Sequence, residues 1–494
     1  MFNYVSLAIK FVAYQKKTIF AVYTKRLNND TFFKMQEHKK IHFIAIGGSA
    51  MHNLALALQA KGYDISGSDD EIYEPSRSRL EKAGLLPPEI GWFPEKIDKS
   101  LDAVIVGMHA RKDNPELIKA RELEIPVYSY AEYVYLQSVD KQRVVIAGSH
   151  GKTTITAMIM HVLAYHKRKF DYLVGAKVEG FDVMVKLSDD APLIVIEGDE
   201  YPAAPTAPKP KFSYYKHHIG LVSGVAWDHI NVYETENDYV RQFEKFADAT
   251  PKGGALIYDS DDYMANFLCE KERPDVANVP YQAHPYKVID GKFFLITKDK
   301  QEIPVQVIGE HNMKNISGAK AVCEKIYINE SKFYEAIRSF KGAANRLETL
   351  AQNNRTHIFK DFAHAPSKVK ATTKAVKSLY PDRKLIACLE LHTFSSLNKS
   401  FLPYYRDTLN ASDLAIVYFN PHTLAHKKLP PITTEDIREG FAKNNLQVFD
   451  DSQKLQTFLQ AQNYTDANLL LMSSGNFDNL PLKSIAEEIV KQKV

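Results

Sequence analysis

The stretch VVIAGSHGKTTITAMIMHVL, Val144–Leu163, limits what this chain can fold into more than any other. A short β-favouring run meets a glycine turn, a lysine and two threonines, and an apolar segment with helical spacing follows. That order predicts a buried strand, a tight turn and a helix, the repeating unit of a parallel α/β sheet. Within the turn Gly148 and Gly151, with Ser149 and His150 between them, let backbone N–H groups face a phosphate. Lys152 is placed to reach terminal phosphates, and Thr153, followed by Thr154, to offer a hydroxyl to Mg²⁺. The helix adds the positive end of its dipole. Ile146 stands where the general phosphate-loop pattern has its first glycine, so this is a shortened variant.

Two later strands end in polar groups that packing would not select. LIVIEGDEY delivers Glu197, Asp199 and Glu200, and GLVSGVAWDHINVY delivers Asp228 and His229. Strand C-termini of an open α/β sheet converge on one crevice, so these groups are expected to meet the phosphates there. A carboxylate and an imidazole beside Thr153 suit a divalent cation that also contacts nucleotide oxygens.

A chain of 494 residues predicts about three domains. Its formal net charge of +3 gives no reason to expect a nucleic-acid partner. The three cysteines, Cys269, Cys323 and Cys388, lie far apart with no CxxC pairing, which fits a reducing, cytoplasmic setting. Residues 1–34 are aromatic and basic, but Lys10, Lys16 and Lys17 break each apolar run before the roughly 20 residues of a membrane span. They read as a poorly ordered extension or an upstream over-read of the start, without stable membrane insertion. The strand, glycine turn and helix of IHFIAIGGSAMHNLALALQAKGYDISGSD open an α/β domain over 35–140. A central nucleotide-binding domain with a parallel sheet is expected over 141–342, including a β-meander at KVIDGKFFLITKDKQEIPVQVIGEH and a helix over about 312–326. A third α/β domain follows over 343–494, with a candidate hinge at Lys341 and Gly342.

The motifs GSHGKTT, EGDEY, WDHINVY, GEHNMKNISGAKA, NRLE and DFAHAPSKVKAT stand in the same order as in the Mur ligases, which form amide bonds at the expense of ATP in peptidoglycan assembly. The resemblance covers roughly residues 40–480. It implies three domains: a Rossmann-like N-terminal domain for UDP-N-acetylmuramate, a central P-loop ATPase and a Rossmann-like C-terminal ligase domain. Carried over by motif, Lys152, Glu197 and His229 are catalytic, and Thr153, Glu197 and His229 hold Mg²⁺. The turn 148–154 holds the ATP phosphates, while His311, Asn312 and Asn315 border the adenine. Arg346 and Asp361 reach ATP from the C-terminal domain, and His364 sits in its closing loop. Gly47, Gly48, Ser49, Asp69 and His109 lie on the side of the UDP-sugar.

Within the family two amines are at issue, L-alanine and the tripeptide L-alanyl-γ-D-glutamyl-meso-diaminopimelate. GDEYPAAPTAPKPKFSYYKHH looks more like the tripeptide-joining relatives, so the tripeptide is the expected amine and L-alanine the alternative. Two departures stand out. AIGGSAMHN lacks the third glycine of GxGxxG, and LELHTFSSLNKSF is less basic than the corresponding strand end of the relatives, which leaves the amine open. A folylpolyglutamate synthase would lack the nucleotide-sugar domain ahead of the P-loop. A sensor that binds the UDP-sugar and ATP without ligating would have no use for the full set of Lys152, Thr153, Glu197 and His229.

Overall fold

The computed structural model describes residues 40–230, 232–289, 292–342 and 347–491, so the extension expected at 1–34 lies outside the described residues. The chain separates into two compact units, one running to Val139 with 203–208 added, the other holding the remainder.

The first unit carries a four-stranded sheet in the spatial order Asp64–Ser68, Lys40–Ile44, Ala103–Val106, Val127–Ser129. Every pair in it is parallel. Its two inner strands are buried on both faces: Ile41, Phe43, Val104 and Val106 are fully buried, and so is His42, which pairs with the buried Glu116. Two of its helices have side-chain caps at their starts. Asn114 caps Pro115–Glu122 by accepting from the Glu116 and Leu117 amides, and Ser129 with Glu132 forms a capping box for Tyr130–Leu136.

The second unit holds two large sheets. The first has seven strands in the order 277–281, 255–259, 219–222, 142–147, 193–197, 171–173, 185–186. All are parallel except the last, which pairs antiparallel at the edge. Strand Gln142–Ala147 lies at its centre, so the crevice beyond its C-terminal end is bounded by strands 193–197 and 219–222. The expected meander forms as three antiparallel strands, Tyr286–Ile289, Lys292–Ile296 and Glu302–Val305. The helix after it runs Glu310–Lys325, two residues earlier than its expected start, because Gly309 at φ +88° turns the chain into it. The other sheet has six strands, parallel except for the edge pair 348–352 and 357–361. Gly342, at the expected hinge, has φ +113°, a conformation that favours glycine.

A buried ion pair pins strand Asp171–Leu173, the next-to-last of the seven. Lys141 Nζ lies 3.2 Å from Asp171 Oδ2 with both side chains almost wholly buried. The lysine also donates to the Ser188 and Ala191 carbonyls at 2.7 and 2.9 Å. Asp171 in turn accepts from the Ser188 amide and hydroxyl. Removing one charge strands the other in a low-dielectric site. Lys141→Met is therefore expected to destabilise by about 3–5 kcal/mol in urea unfolding. Lys141→Met combined with Asp171→Leu should recover most of that loss.

Candidate active site

Strand Gln142–Ala147 ends at Gly148, where φ is +132°, and the turn closes at Gly151 with φ +78°. A side chain would be excluded at both. A Cβ on Gly148 would collide with Ser223 Oγ, and one on Gly151 would lie 2.5 Å from Asn315 Oδ1. The turn is thus clasped from two sides. Ser149 faces inward: its hydroxyl shares a 2.7 Å hydrogen bond with Tyr239 and accepts the Ala226 amide at 2.9 Å. Its backbone N–H donates to the Gly224 carbonyl at 2.9 Å, so neither its hydroxyl nor its amide faces the crevice unpaired. Ser223 Oγ donates to the His150 carbonyl, and burial with the charges of Lys368 and Lys152 pushes His150 down to about 3, so its ring is neutral.

Each carboxylate of EGDEY takes a different partner. Thr153 Oγ1 donates to Glu197 Oε1 at 2.7 Å, and the Gly175 amide donates to Glu197 Oε2 at 2.6 Å. Burial and the nearby Asp199 raise the Glu197 pKa. Asp199 receives Lys211 Nζ at 2.9 Å, and that ammonium lies 4.3 Å from the Tyr201 ring centroid. Glu200, which sequence reasoning placed at the crevice without a role, is the hub. Its Oε2 accepts Lys152 Nζ at 2.6 Å and its Oε1 lies 3.2 Å from His229 Nε2. Lys152 also donates to the Gly148 carbonyl at 2.6 Å. Burial opposes the charge on Glu200, yet Lys152 and His229 hold its carboxyl far below the usual range; the same pairs lift Lys152 and His229 against their own desolvation.

Thr153 and Glu197 are therefore brought together as expected, whereas His229 reaches the cluster through Glu200. His229 is held at φ +57°, a left-handed conformation uncommon outside glycine, while Tyr233 OH donates to the Glu200 carbonyl. Among the described residues no group of three or more His, Cys, Asp or Glu side chains forms a metal cage. A hydroxyl and one carboxylate beside a phosphate turn suit Mg²⁺ all the same, since that ion keeps waters and takes phosphate oxygens instead of an all-protein shell.

The other expected residues of the second unit lie in two further places. Asn315 Nδ2 donates to Asn312 Oδ1 at 3.0 Å, and Asn312 Nδ2 to the Ile308 carbonyl at 2.8 Å, next to His311 at the start of the same helix. Asp361 is buried; it accepts from the Leu347 and Ala363 amides at 2.7 and 2.8 Å, so it fixes the residue that follows Arg346. Arg346 itself lies outside the described residues. His364 Nδ1 donates to the Phe362 carbonyl at 2.9 Å, and Tyr405 OH donates to the His364 carbonyl. Ser395, in the segment after strand Lys384–Leu391, donates to Asp228 Oδ1 at 3.2 Å, tying that segment to the residue before His229.

In the first unit, the Gly47 amide donates to Asp69 Oδ2 at 2.7 Å, which joins the glycine turn to the end of the neighbouring strand. Gly48 precedes the helix that Ser49 begins, and Ser49 and His109 are exposed. Burial pushes Asp69 up to about 6, against the pull of the Gly47 amide.

Two measurements follow from this geometry. Glu200→Gln removes the counter-ion of Lys152 and is expected to lower thermal stability by roughly 1–3 kcal/mol. ADP with Mg²⁺ should then raise the melting temperature more than it does in the parent protein, because the phosphates replace the lost charge. For Asp69 the folded-state pKa lies above the unfolded value, so its contribution is most favourable below about pH 4 and is lost as pH rises through about 6. Asp69→Asn should flatten that part of the pH dependence in urea unfolding while keeping an acceptor for the Gly47 amide.

Comparison with known proteins gives two family matches, "Mur ligase family, catalytic domain" over residues 40–136 and "Mur ligase middle domain" over 146–323. A UDP-N-acetylmuramate–L-alanine ligase from a Sulfurihydrogenibium species is 31% identical over 77% of this chain and 82% of its own. Among solved structures, a UDP-N-acetylmuramate–alanine ligase from Thermotoga maritima matches with a TM-score of 0.67 at 19% identity, over 92% of this chain and 99% of that one. A murein peptide ligase from Psychrobacter arcticus matches with a TM-score of 0.61 at 22% identity, over 92% of this chain and all of that one. The two structures share the fold, and the sequence matches carry the lineage. This chain belongs to the Mur ligase family of ATP-dependent amide ligases.

Proposed function

We propose that the enzyme joins L-alanine to the lactyl carboxyl of UDP-N-acetylmuramate through an acyl phosphate, in peptidoglycan assembly. The observation that carries the chemistry is the shared Lys152: its ammonium sits between the Gly148 carbonyl and Glu200, 2.6 Å from each, at the mouth of the phosphate turn. The choice of amine rests on the relative that is 31% identical, which bears the name of an L-alanine ligase. A second reading, the tripeptide, is favoured by Lys211 and Tyr201. Those residues of the DEY and KF motifs are packed together beside Asp199, where the sequence looks more like tripeptide-joining relatives.

A carboxylate oxygen is a poor leaving group, so the acid must be activated. Transfer of the γ-phosphoryl of ATP to the lactyl carboxylate breaks the bond to ADP and forms the acyl phosphate. Lys152 would leave Glu200 for the β- and γ-phosphates, and the N–H groups of the turn and the helix start would meet the same oxygens. Thr153 and Glu197 would hold Mg²⁺, which screens phosphate charge when bound. His229 would stay anchored to Glu200. The neutral amine then attacks the acyl carbon, and the tetrahedral oxyanion collapses to amide and phosphate. His311, Asn312 and Asn315 would border the adenine, with Arg346, Asp361 and His364 approaching from the C-terminal domain. Gly47, Gly48, Ser49, Asp69 and His109 would take the UDP-sugar. Among the described residues no helix is long and apolar enough to cross a membrane.

The deciding assay measures phosphate release with UDP-N-acetylmuramate, ATP and Mg²⁺, with L-alanine or the tripeptide as amine. L-alanine is expected to give the higher kcat/KM by at least tenfold. A reversed preference establishes the tripeptide reading, and no stimulation by either amine removes both. Lys152→Ala is expected to lower phosphate release by at least 10²-fold, the scale seen when a group that stabilises transition-state charge is deleted.

A further inference from the structure

The six-stranded sheet of the second unit has a crevice of its own. Along strand Lys384–Leu391, Leu385, Ala387, Leu389 and Leu391 enter one apolar core while Ile386 and Cys388 enter another, so the two cores lie on opposite faces of the sheet. The segment after this strand packs Phe401 and Leu402 into the first core. The helix after the adjacent parallel strand, Ala467–Met472, packs Ile485 and Ile489 into the second. Neighbouring strands whose continuations leave to opposite faces open a crevice beyond their C-terminal ends, where open α/β sheets bind ligands.

Two polar groups there lack what they need. Glu390, buried near the end of the first strand, is spent on the Ser473 hydroxyl and, at 2.8 Å, the Phe477 amide. Ser473 Oγ accepts the Gly475 amide at 2.6 Å, and a Cβ on Gly475 would lie 2.6 Å from His392 Nδ1. His392 thus bridges the two strand ends, with Nδ1 3.9 Å from Glu390 Oε1. Between Ser473 and Gly475, the Oγ of Ser474 is buried and has no hydrogen-bond partner among the described residues. Lys427 comes from the end of helix Pro421–His426, which follows the strand on the other side, Leu414–Phe419. Its Nζ lies 4.5 Å from the ring centroid of the exposed Phe394. Burial lowers the pKa of Lys427, and no counter-ion among the described residues offsets that. Burial lowers His392 as well, against the pull of Glu390, and Lys427 adds to the lowering, so the lysine is the cation of this crevice.

A desolvated cation without an anion and a buried hydroxyl without an acceptor can both be satisfied by one carboxylate. The crevice is also tied to the nucleotide centre. Ser395, three residues beyond His392, donates to Asp228 Oδ1 at 3.2 Å, and at ~3.3 Å per residue His392 lies within roughly 10 Å of that contact. From these features we infer that the crevice seats the α-carboxylate of the incoming L-alanine, with Lys427 as its cation and Ser474 as a donor. Lys427 thereby selects an amino acid over an amine that lacks the acid. The inference rests on the L-alanine reading of the function.

The test compares L-alanine with L-alaninamide, which keeps the amine and replaces the charged carboxylate by a neutral amide. Phosphate release by the full chain is measured with UDP-N-acetylmuramate, ATP and Mg²⁺. The parent enzyme is expected to favour L-alanine by about tenfold or more in kcat/KM, the scale of a hydrogen bond to a charged group. Lys427→Met keeps the side-chain stem against Phe394 and removes the charge. It should raise KM for L-alanine about tenfold, hold KM for ATP, and cut the preference over L-alaninamide by about the same factor. Lys427→Arg should restore most of that preference, and Ser474→Ala should raise KM for L-alanine several-fold. The two amines differ in basicity equally for parent and variant, so the change in preference reports the carboxylate contact. A Lys427→Met enzyme with an unchanged KM for ATP that keeps the parent's preference overturns the inference and leaves the L-alanine reading intact. A parent enzyme that L-alanine does not stimulate removes that reading, and the inference with it.

Discussion

The ammonium of Lys152, held between a carbonyl of its own turn and the buried carboxylate of Glu200, is the interaction on which the crevice depends. It exists because strand register sets it up. Ile146 pairs with Glu197 and Ala147 with Val222, so three strands end at one level around the phosphate turn. A one-residue slip of strand Leu193–Glu197 would turn Glu197 to the opposite face and carry Glu200 with it. Buried apolar contacts on both faces exclude that slip, since Ile194, Val195 and Ile196 are all fully buried. Core packing thereby fixes the distances between charges that lie beyond the ends of the strands.

The charge pattern has its own logic. Glu197, Asp199 and Glu200 stand beside Lys152, Lys211 and His229, and each anion has a specific donor. Taking such charges out of water costs several kcal/mol per ion, and pairing returns that only when geometry and hydrogen bonding are complete. Here the pairing is complete within each unit of the network but unequal in strength. Asp199 and Lys211 are bound to one another at the flank, against the Tyr201 ring, while Lys152 shares its ammonium with a carbonyl and a carboxylate that a phosphate can replace. The flank is static and the centre is exchangeable.

Much of this was legible in the sequence, for physical reasons. A strand feeding GSHGKTT into a helix admits few backbones, and the two glycines are required by their φ angles and by the close approach of Ser223 and Asn315. Strand ends carrying EGDEY and WDH had to converge at the switch point. What stayed hidden was the assignment of partners. Three carboxylates within four residues point in directions set by the turn after Glu197, and no periodicity encodes that turn. His229 was read as a partner of Thr153 and Glu197, but its left-handed backbone brings Nε2 to Glu200 instead. The inward turn of the Ser149 hydroxyl onto Tyr239, ninety residues away, is likewise a partner that only the tertiary fold reveals.

The retention of an ion pair at Lys152 is itself informative. Were the pair there for stability, an apolar pair of similar volume would do as well or better, since replacing buried ion pairs in this way is often neutral or stabilising. A lysine with a fixed, unshared counter-ion would serve catalysis poorly, because moving it to a phosphate would leave an uncompensated carboxylate behind. Glu200 holds two partners at once, so that, on the proposed reading, His229 would still be in contact with it when Lys152 turned to a phosphate. The strained backbone at His229 is explained by the same requirement: the second donor must reach Oε1 while the first occupies Oε2, and the left-handed turn delivers it there. Such an arrangement suits the proposed binding and release of nucleotide phosphates, since one partner of Glu200 can leave while the other stays.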